Sequence, residues 1–248
     1  IMKKILIIVL VMLSVANISA SDHLKKEQVW KHKYKLSKSD IHFGTTVNTL
    51  YKISDVRNTE SKVKWEFKIY STTAGIFKVK KDIRTESSHF IKQNSDIFPD
   101  AYLFIREKKE SLEKYETKIS FDESMKSTTI FSHNNETKEI VHPITKGVQD
   151  RLSVQLDYKN KMRTADFDQK YKVIDKGRMR DYSFNLVGTE SIKTIFGQTS
   201  TVIIKKTIKD NKRSTLTWYA IDHDFIPVKI EQYRKDVLKF TVTLDEAT

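Results

Sequence analysis

The sequence predicts a mainly β chain: a large antiparallel curved sheet or open barrel-like meander, with one short helix near 149–162. Three observations carry this. Apolar and polar residues alternate with period two from end to end. Turn residues punctuate that alternation at short intervals through the last third. Helical spacing accompanied by a start signal occurs in one segment.

The first twenty residues read as a secretory leader. Lys3 and Lys4 make a short positive region, and Ile5 to Leu13 is an unbroken apolar run of h-region length. Ile18-Ser19-Ala20 then offers a small-residue cleavage pattern, with Ser14-Val15-Ala16 as the second choice. A membrane-spanning helix needs about 20 apolar residues, and Ser14, Asn17 and Ser19 interrupt this run too early. The expectation is residues 1–20 as a signal peptide and 21–248 as one mainly β domain, soluble after cleavage and periplasmic. Cysteine is absent, so neither a lipidated cysteine nor a disulfide is available.

The clearest strand is Val63-Lys64-Trp65-Glu66-Phe67-Lys68-Ile69-Tyr70. Side chains alternate across a strand, so Val63, Trp65, Phe67 and Ile69 share one face and the charged residues take the other. Residues 72–80 fit helix and strand equally. The polar stretch 107–135 reads as long exposed hairpins, such as 115–121 and 128–132. In 149–162, Leu152 and Leu156 lie four apart, Val148 lies one turn earlier and Asp150 is available at the start, which predicts the short helix. A meander follows. Strands over 181–189, 190–195, 199–208 and 215–220 are separated by turns at Phe196-Gly197 and Asp210-Asn211. Asp222-His223-Asp224 and Arg234-Lys235-Asp236 then bracket a strand centred on Val228, and Leu238, Phe240, Val242 and Leu244 form the last apolar face.

The net charge is +13 over 248 residues. Lysines are spread along the chain, which fits solvated strand faces; attraction to an anionic envelope component is the sharper alternative. No nucleic-acid-binding motif is present. No G-x-S-x-G, H-E-x-x-H or Gly-rich phosphate loop occurs, so no enzyme, metal or cofactor is expected. His133 and His142, nine apart around Glu136 and Glu139, have the look of a polar loop rather than a zinc site. Asp222-His223-Asp224 reads as a turn.

Trp65, Phe67, Ile69, Trp218 and Phe240 all fall on apolar strand faces. They either fill the core or line a cavity between a curved sheet and the helix.

An ordered set of short motifs resembles the bacterial domain-of-unknown-function 3108 family of exported proteins. It runs from Tyr34-Lys35-Leu36 and Phe43-Gly44 through Thr73-Ala74-Gly75-Ile76-Phe77 to Asp150-Arg151-Leu152-Ser153. It continues through Gly188-Thr189-Glu190, Thr194-Ile195-Phe196-Gly197, Thr217-Trp218-Tyr219-Ala220 and Phe225-Ile226-Pro227-Val228-Lys229-Ile230. The polar segment 107–135 departs from the pattern. The resemblance implies a periplasmic, mainly antiparallel β protein without an assigned role. Two functions are carried forward. The first is non-enzymatic binding or carriage of an amphipathic, lipid-like molecule in an apolar groove lined by the five residues above. The second is an envelope interaction protein using a basic surface or a β-edge.

Overall fold

The computed structural model describes residues 23–57, 62–79, 81–133 and 136–248, so the expected leader lies outside them. Among these residues fifteen strands form one sheet. The first eight are β1 (Leu24–Lys38), β2 (Ile41–Asp55), β3 (Lys64–Thr73), β4 (Asp82–Gln93), β5 (Asp96–Lys108), β6 (Ser111–Ser120), β7 (Lys126–His133) and β8 (Glu136–Pro143). The short β9 (Gln149–Asp150) and helix α1 (Ser153–Met162) follow. The chain finishes with β10 (Gln169–Asp175), β11 (Arg178–Thr194), β12 (Gly197–Ile208), β13 (Arg213–Ala220), β14 (Ile226–Arg234) and β15 (Val237–Ala247).

The strand order is 8-7-6-5-4-3-2-1-15-14-13-12-11-10-9. Two antiparallel meanders are therefore joined where β1 pairs with β15, Tyr34 opposite Leu244. The one parallel pair joins β9 to β10. Among the described residues no ladder closes the sheet, yet its two ends approach each other through side chains. Gln149 Nε2 donates to the Ile97 carbonyl at 2.9 Å, and His142 Nε2 lies 2.8 Å from the Gly177 carbonyl oxygen. The result is an open, barrel-like coil.

Helix α1 lies between the two meanders, which explains its composition. Val154, Tyr158 and Met162 pack with Val173, Phe184, Val202 and Tyr219 on one side. Leu152 and Leu156 pack with Leu50, Phe67, Phe90 and Ile97 on the other. A helix that meets core on both sides needs no single apolar stripe. The expected start at 149 is corrected: Gln149 and Asp150 are strand, and the helix begins at Ser153. Asp150 Oδ1 accepts hydrogen bonds from the backbone N–H groups of Leu152 (2.7 Å) and Ser153 (2.9 Å), so it satisfies helix-start donors while its own backbone still pairs in the sheet.

Other boundaries shift for similar reasons. The expected strands 181–189 and 190–195 are one continuous β11, bulged between Leu186 and Gly188. The ambiguous 72–80 segment divides into the end of β3 and a 3-10 turn, Gly75–Val79. Of the expected 107–135 segment, residues 107–133 are described and do form hairpins, but these are not simply exposed: Tyr115, Thr117 and Ile119 of β6 face inward and are buried.

Gly177 holds the place where the coil nearly closes. It follows Lys176 in a two-residue hairpin with φ of +52° and +60° at the two positions, the backbone that suits twisted strands. A Cβ on Gly177 would sit 2.9 Å from the Phe131 ring. Gly177→Ala is expected to destabilise by about 1–2 kcal/mol, from the left-handed backbone and this contact together. Urea denaturation checks this, and a variant as stable as the parent would refute the near-closure.

Candidate functional site

Inside the coil, next to the start of α1, lies a polar cavity of about 410 Å³. Its lining includes Glu86 of β4, Arg151 and Leu152 before α1, Asp175 of β10, Lys176, Arg180 and Tyr182 of β11, Lys206 of β12 and Arg213 of β13. Five cationic side chains thus face two carboxylates.

Each charge is placed by strand geometry. In β12 the inward row is Val202, Ile204, Lys206 and Ile208, and the first two are core. Lys206 replaces an apolar residue in that row. In β4, Glu86 lies two residues before buried Ser88 and four before buried Phe90. Register sets it beside Ile69 of β3 and Phe104 of β5. In β11, Arg180 precedes buried Tyr182 and Phe184 in the same row. Arg151 projects from the turn fixed by Asp150, whose Oδ2 also accepts from Ser88 Oγ at 2.5 Å. Burial pushes the Asp150 carboxyl up to about 6, against the pull of those hydrogen bonds.

The charges are held but incompletely paired. Arg151 reaches Glu86 at 3.9 Å and Asp175 at 3.6 Å, longer than tight charged hydrogen bonds. Tyr102 OH donates to Glu86 at 2.6 Å, and Tyr182 OH donates to Asp175 at 3.2 Å. Arg151 Nη1 donates to Tyr115 OH at 3.4 Å. Burial alone would lower the pKa of Arg151; Glu86, Tyr102, Asp175 and Tyr115 together hold it above the usual arginine value. Burial drives Lys206 the other way, down to about 8, and Arg151 adds to that fall. Asp175 Oδ1 and Arg180 Nε are shut off from solvent without a hydrogen-bond partner. Buried polar groups are normally satisfied, so a cavity with spare guanidinium and ammonium donors is suited to take up an anion.

The five aromatic and aliphatic residues singled out from the sequence fall into two groups. Trp65, Phe67 and Ile69 join the cluster that meets Leu152 and Leu156. Phe67 is buried against Trp30, Lys92 Nζ lies 3.9 Å over the Trp65 ring, and Ile69 alone of the five lines the polar cavity. Trp218 and Phe240 pack in a separate cluster centred on β13 to β15. Trp218 is three residues beyond Thr215, a cavity residue on the same strand, and so points to the opposite face. There its Nε1 donates to Glu190 at 2.7 Å, and Lys229 lies 4.1 Å over its ring. Phe240 packs edge-on to Phe43 at 6.2 Å. The structure does not bring the five to one groove.

The sequence reading missed Glu86, Asp175, Arg180 and Lys206. A usable signal was present: a charged residue in an otherwise apolar period-two row, as in Val202-Ile204-Lys206-Ile208. Arg151 was quoted for the resemblance, but no charge role was given to it.

Comparison with known proteins agrees with this architecture. A crystal structure of a β-barrel-like protein of domain of unknown function DUF1849 from Brucella abortus is similar, with a TM-score of 0.52 and 8% identity. The match covers 88% of this chain and 96% of that one, and it speaks to fold alone. No curated protein matches the sequence. The family described as protein of unknown function DUF3108 matches residues 33–243, a span that holds α1, every cavity residue and part of the meander junction. The chain belongs to the DUF3108 family.

Proposed function

We propose that this is a non-catalytic, periplasmic binding protein that takes an anionic, amphipathic molecule into the cavity beside α1. The observation that carries the reading is the lining: Arg151, Lys176, Arg180, Lys206 and Arg213 against Glu86 and Asp175. An anionic head would meet the guanidinium and ammonium groups, while Ile69, Leu152 and Ile208 offer an apolar wall for part of a chain. The leader-like first twenty residues support the compartment. The edge-pairing alternative has less support. The free edge β8 presents Glu136, Lys138, Glu139 and Pro143, residues that blunt strand addition.

Titration calorimetry with dodecyl phosphate against neutral dodecyl maltoside tests this. The phosphate is expected to bind at a single site and the maltoside not to bind. Lys206 also sets a pH signature. An anion stabilises the protonated amine, so above the second phosphate ionisation at about pH 6–7, where the ligand's charge is constant, affinity falls as pH rises through the free-state value of about 8. Equal uptake of the neutral detergent, or an affinity flat across that range, counts against the reading.

A further inference from the structure

One rim of the coil carries a second chemistry. Four neighbouring connections lie there: the 3-10 turn Gly75–Val79, the β1–β2 turn, the β14–β15 turn and the β12–β13 turn. Register places them side by side. Gly44 pairs with Thr73, Ser37 with Thr241, and Arg213 with Arg234. The Lys235 N–H donates to the Lys212 carbonyl at 2.8 Å.

Three of these four turns expose large aliphatic or aromatic side chains. Ile76 is 81% exposed and Val79 89%, and Ile41, Phe77, Val237 and Leu238 are exposed with them. Ile41, Phe43 and Phe77 also line a shallow, mainly apolar groove of about 470 Å³, bordered by Lys38 and Lys239. Isolated exposed apolar residues need no explanation, but six gathered on adjoining turns do. Around them Lys38, Lys78, Lys212, Lys235 and Lys239 are exposed and form no ion pair among the described residues. Asp40, Asp210 and Asp236 lie in the turns themselves, and beside the 3-10 turn Asp82 is bridged by Arg106 at 2.6 Å and Glu107 by Lys81 at 2.8 Å. The two-residue β1–β2 and β14–β15 hairpins have positive φ at both positions, the tight turn that matches twisted strands.

We infer that this rim docks on the surface of an anionic lipid bilayer. Ile76, Val79, Val237 and Leu238 would enter the headgroup boundary, and the lysines would meet lipid phosphates. Charge complementarity selects this occupant. An apolar tip ringed by unpaired lysines suits a surface whose outer layer is anionic and whose inner layer is hydrocarbon. The inference rests on the outer rim and stands apart from the cavity reading.

Co-sedimentation of residues 21–248, without the apolar leader, with phosphatidylglycerol–phosphatidylcholine vesicles, against phosphatidylcholine vesicles alone, tests it. Binding is expected to the first and to be at least about tenfold weaker to the second, since each lysine near an anionic surface contributes about fivefold. Ile76→Ser with Val79→Ser, and separately Lys235→Glu with Lys239→Glu, should each weaken binding about tenfold or more. These residues are exposed, so circular dichroism spectra should not change. Lys206→Met should bind vesicles like the parent, which separates the rim from the cavity. Three outcomes would overturn the inference: no vesicle binding by the parent, equal binding to both vesicle types, or unweakened variants. A dimer in sedimentation velocity that the Ile76/Val79 variant dissolves would also overturn it, by assigning the rim to a second copy.

Discussion

Lys206→Met is expected to make the protein more stable and a poorer anion binder. In the folded chain burial lowers the Lys206 pKa from 10.5 to about 8. At 1.36 kcal/mol per pH unit the charged form costs about 3 kcal/mol, and about 2 kcal/mol after allowance for water reaching the cavity. Methionine fills a similar volume beside Ile204 and Ile208 without a charge to desolvate. A gain of about 2 kcal/mol should raise Tm by about 4–8 °C in a chain of this size. The sign has a pH test. The charge penalty is present below the folded value of about 8 and disappears as pH rises toward the unfolded value of 10.5. The gap in Tm between variant and parent should therefore narrow across that range. A variant less stable than the parent at neutral pH would show that Lys206 is a structural ion partner, contrary to the cavity described above.

Arg151→Met should act in the opposite sense. Arg151 stands between Glu86 and Asp175, whose side chains are 15% and 14% exposed. Its removal leaves two enclosed carboxylates facing each other, with Arg180, the Lys206 ammonium and the tyrosine hydroxyls as partners that remain nearby. Breaking a buried charge arrangement from one side costs about 3 kcal/mol, somewhat less than a fully dry site because the cavity admits solvent. Arg151→Met with Glu86→Gln should recover part of that loss, since one unpaired charge leaves with its partner. Chemical denaturation of the single and double variants measures the coupling. Additive losses would mean that Arg151 and Glu86 do not interact across their 3.9 Å separation. The two substitutions are neighbours in one cavity, yet one removes an unneutralised cation and the other the counter-charge of two anions.

Much of the fold was legible because alternation is a local signal. The strand read at Val63 to Tyr70 is β3, beginning at Lys64 and running on to Thr73. The final meander follows the turns read at Asp210-Asn211 and at Lys235-Asp236. The start of the helix was misread because Asp150 has two roles: its backbone pairs with β10 while its carboxylate accepts the Leu152 and Ser153 N–H groups at the entry to α1. Burial of Tyr115, Thr117 and Ile119 was hidden because it depends on the remote β9–β10 end folding back over β5 to β7. The aromatic groove was read from residues that do share an apolar character. Parity puts Trp218 on the face opposite Thr215, but only the assembled coil shows which face lines the cavity, and α1 fills the space beside Phe67. The cavity charges were overlooked because each stands alone in its own strand, and only the coil brings Glu86, Arg151, Asp175 and Lys206 to one place.

The pairing of β1 with β15 also orders events in time. As the chain emerges from N- to C-terminus, β2 through β8 can add to β1 in sequence, each beside its predecessor. The second edge of β1 has no partner until the last strand arrives, when Lys31 and Thr248 exchange backbone hydrogen bonds at 2.6 and 2.9 Å. Throughout that interval β1 presents open N–H and C=O groups, the kind of template on which nascent chains cross-pair. The ladder that unites the halves has the longest sequence separation in the sheet, so it belongs among the slow steps of folding. Loss of the last dozen residues would do more than shorten the sheet: among the described residues it would leave two half-sheets joined by the 144–148 connection, α1 and side-chain contacts.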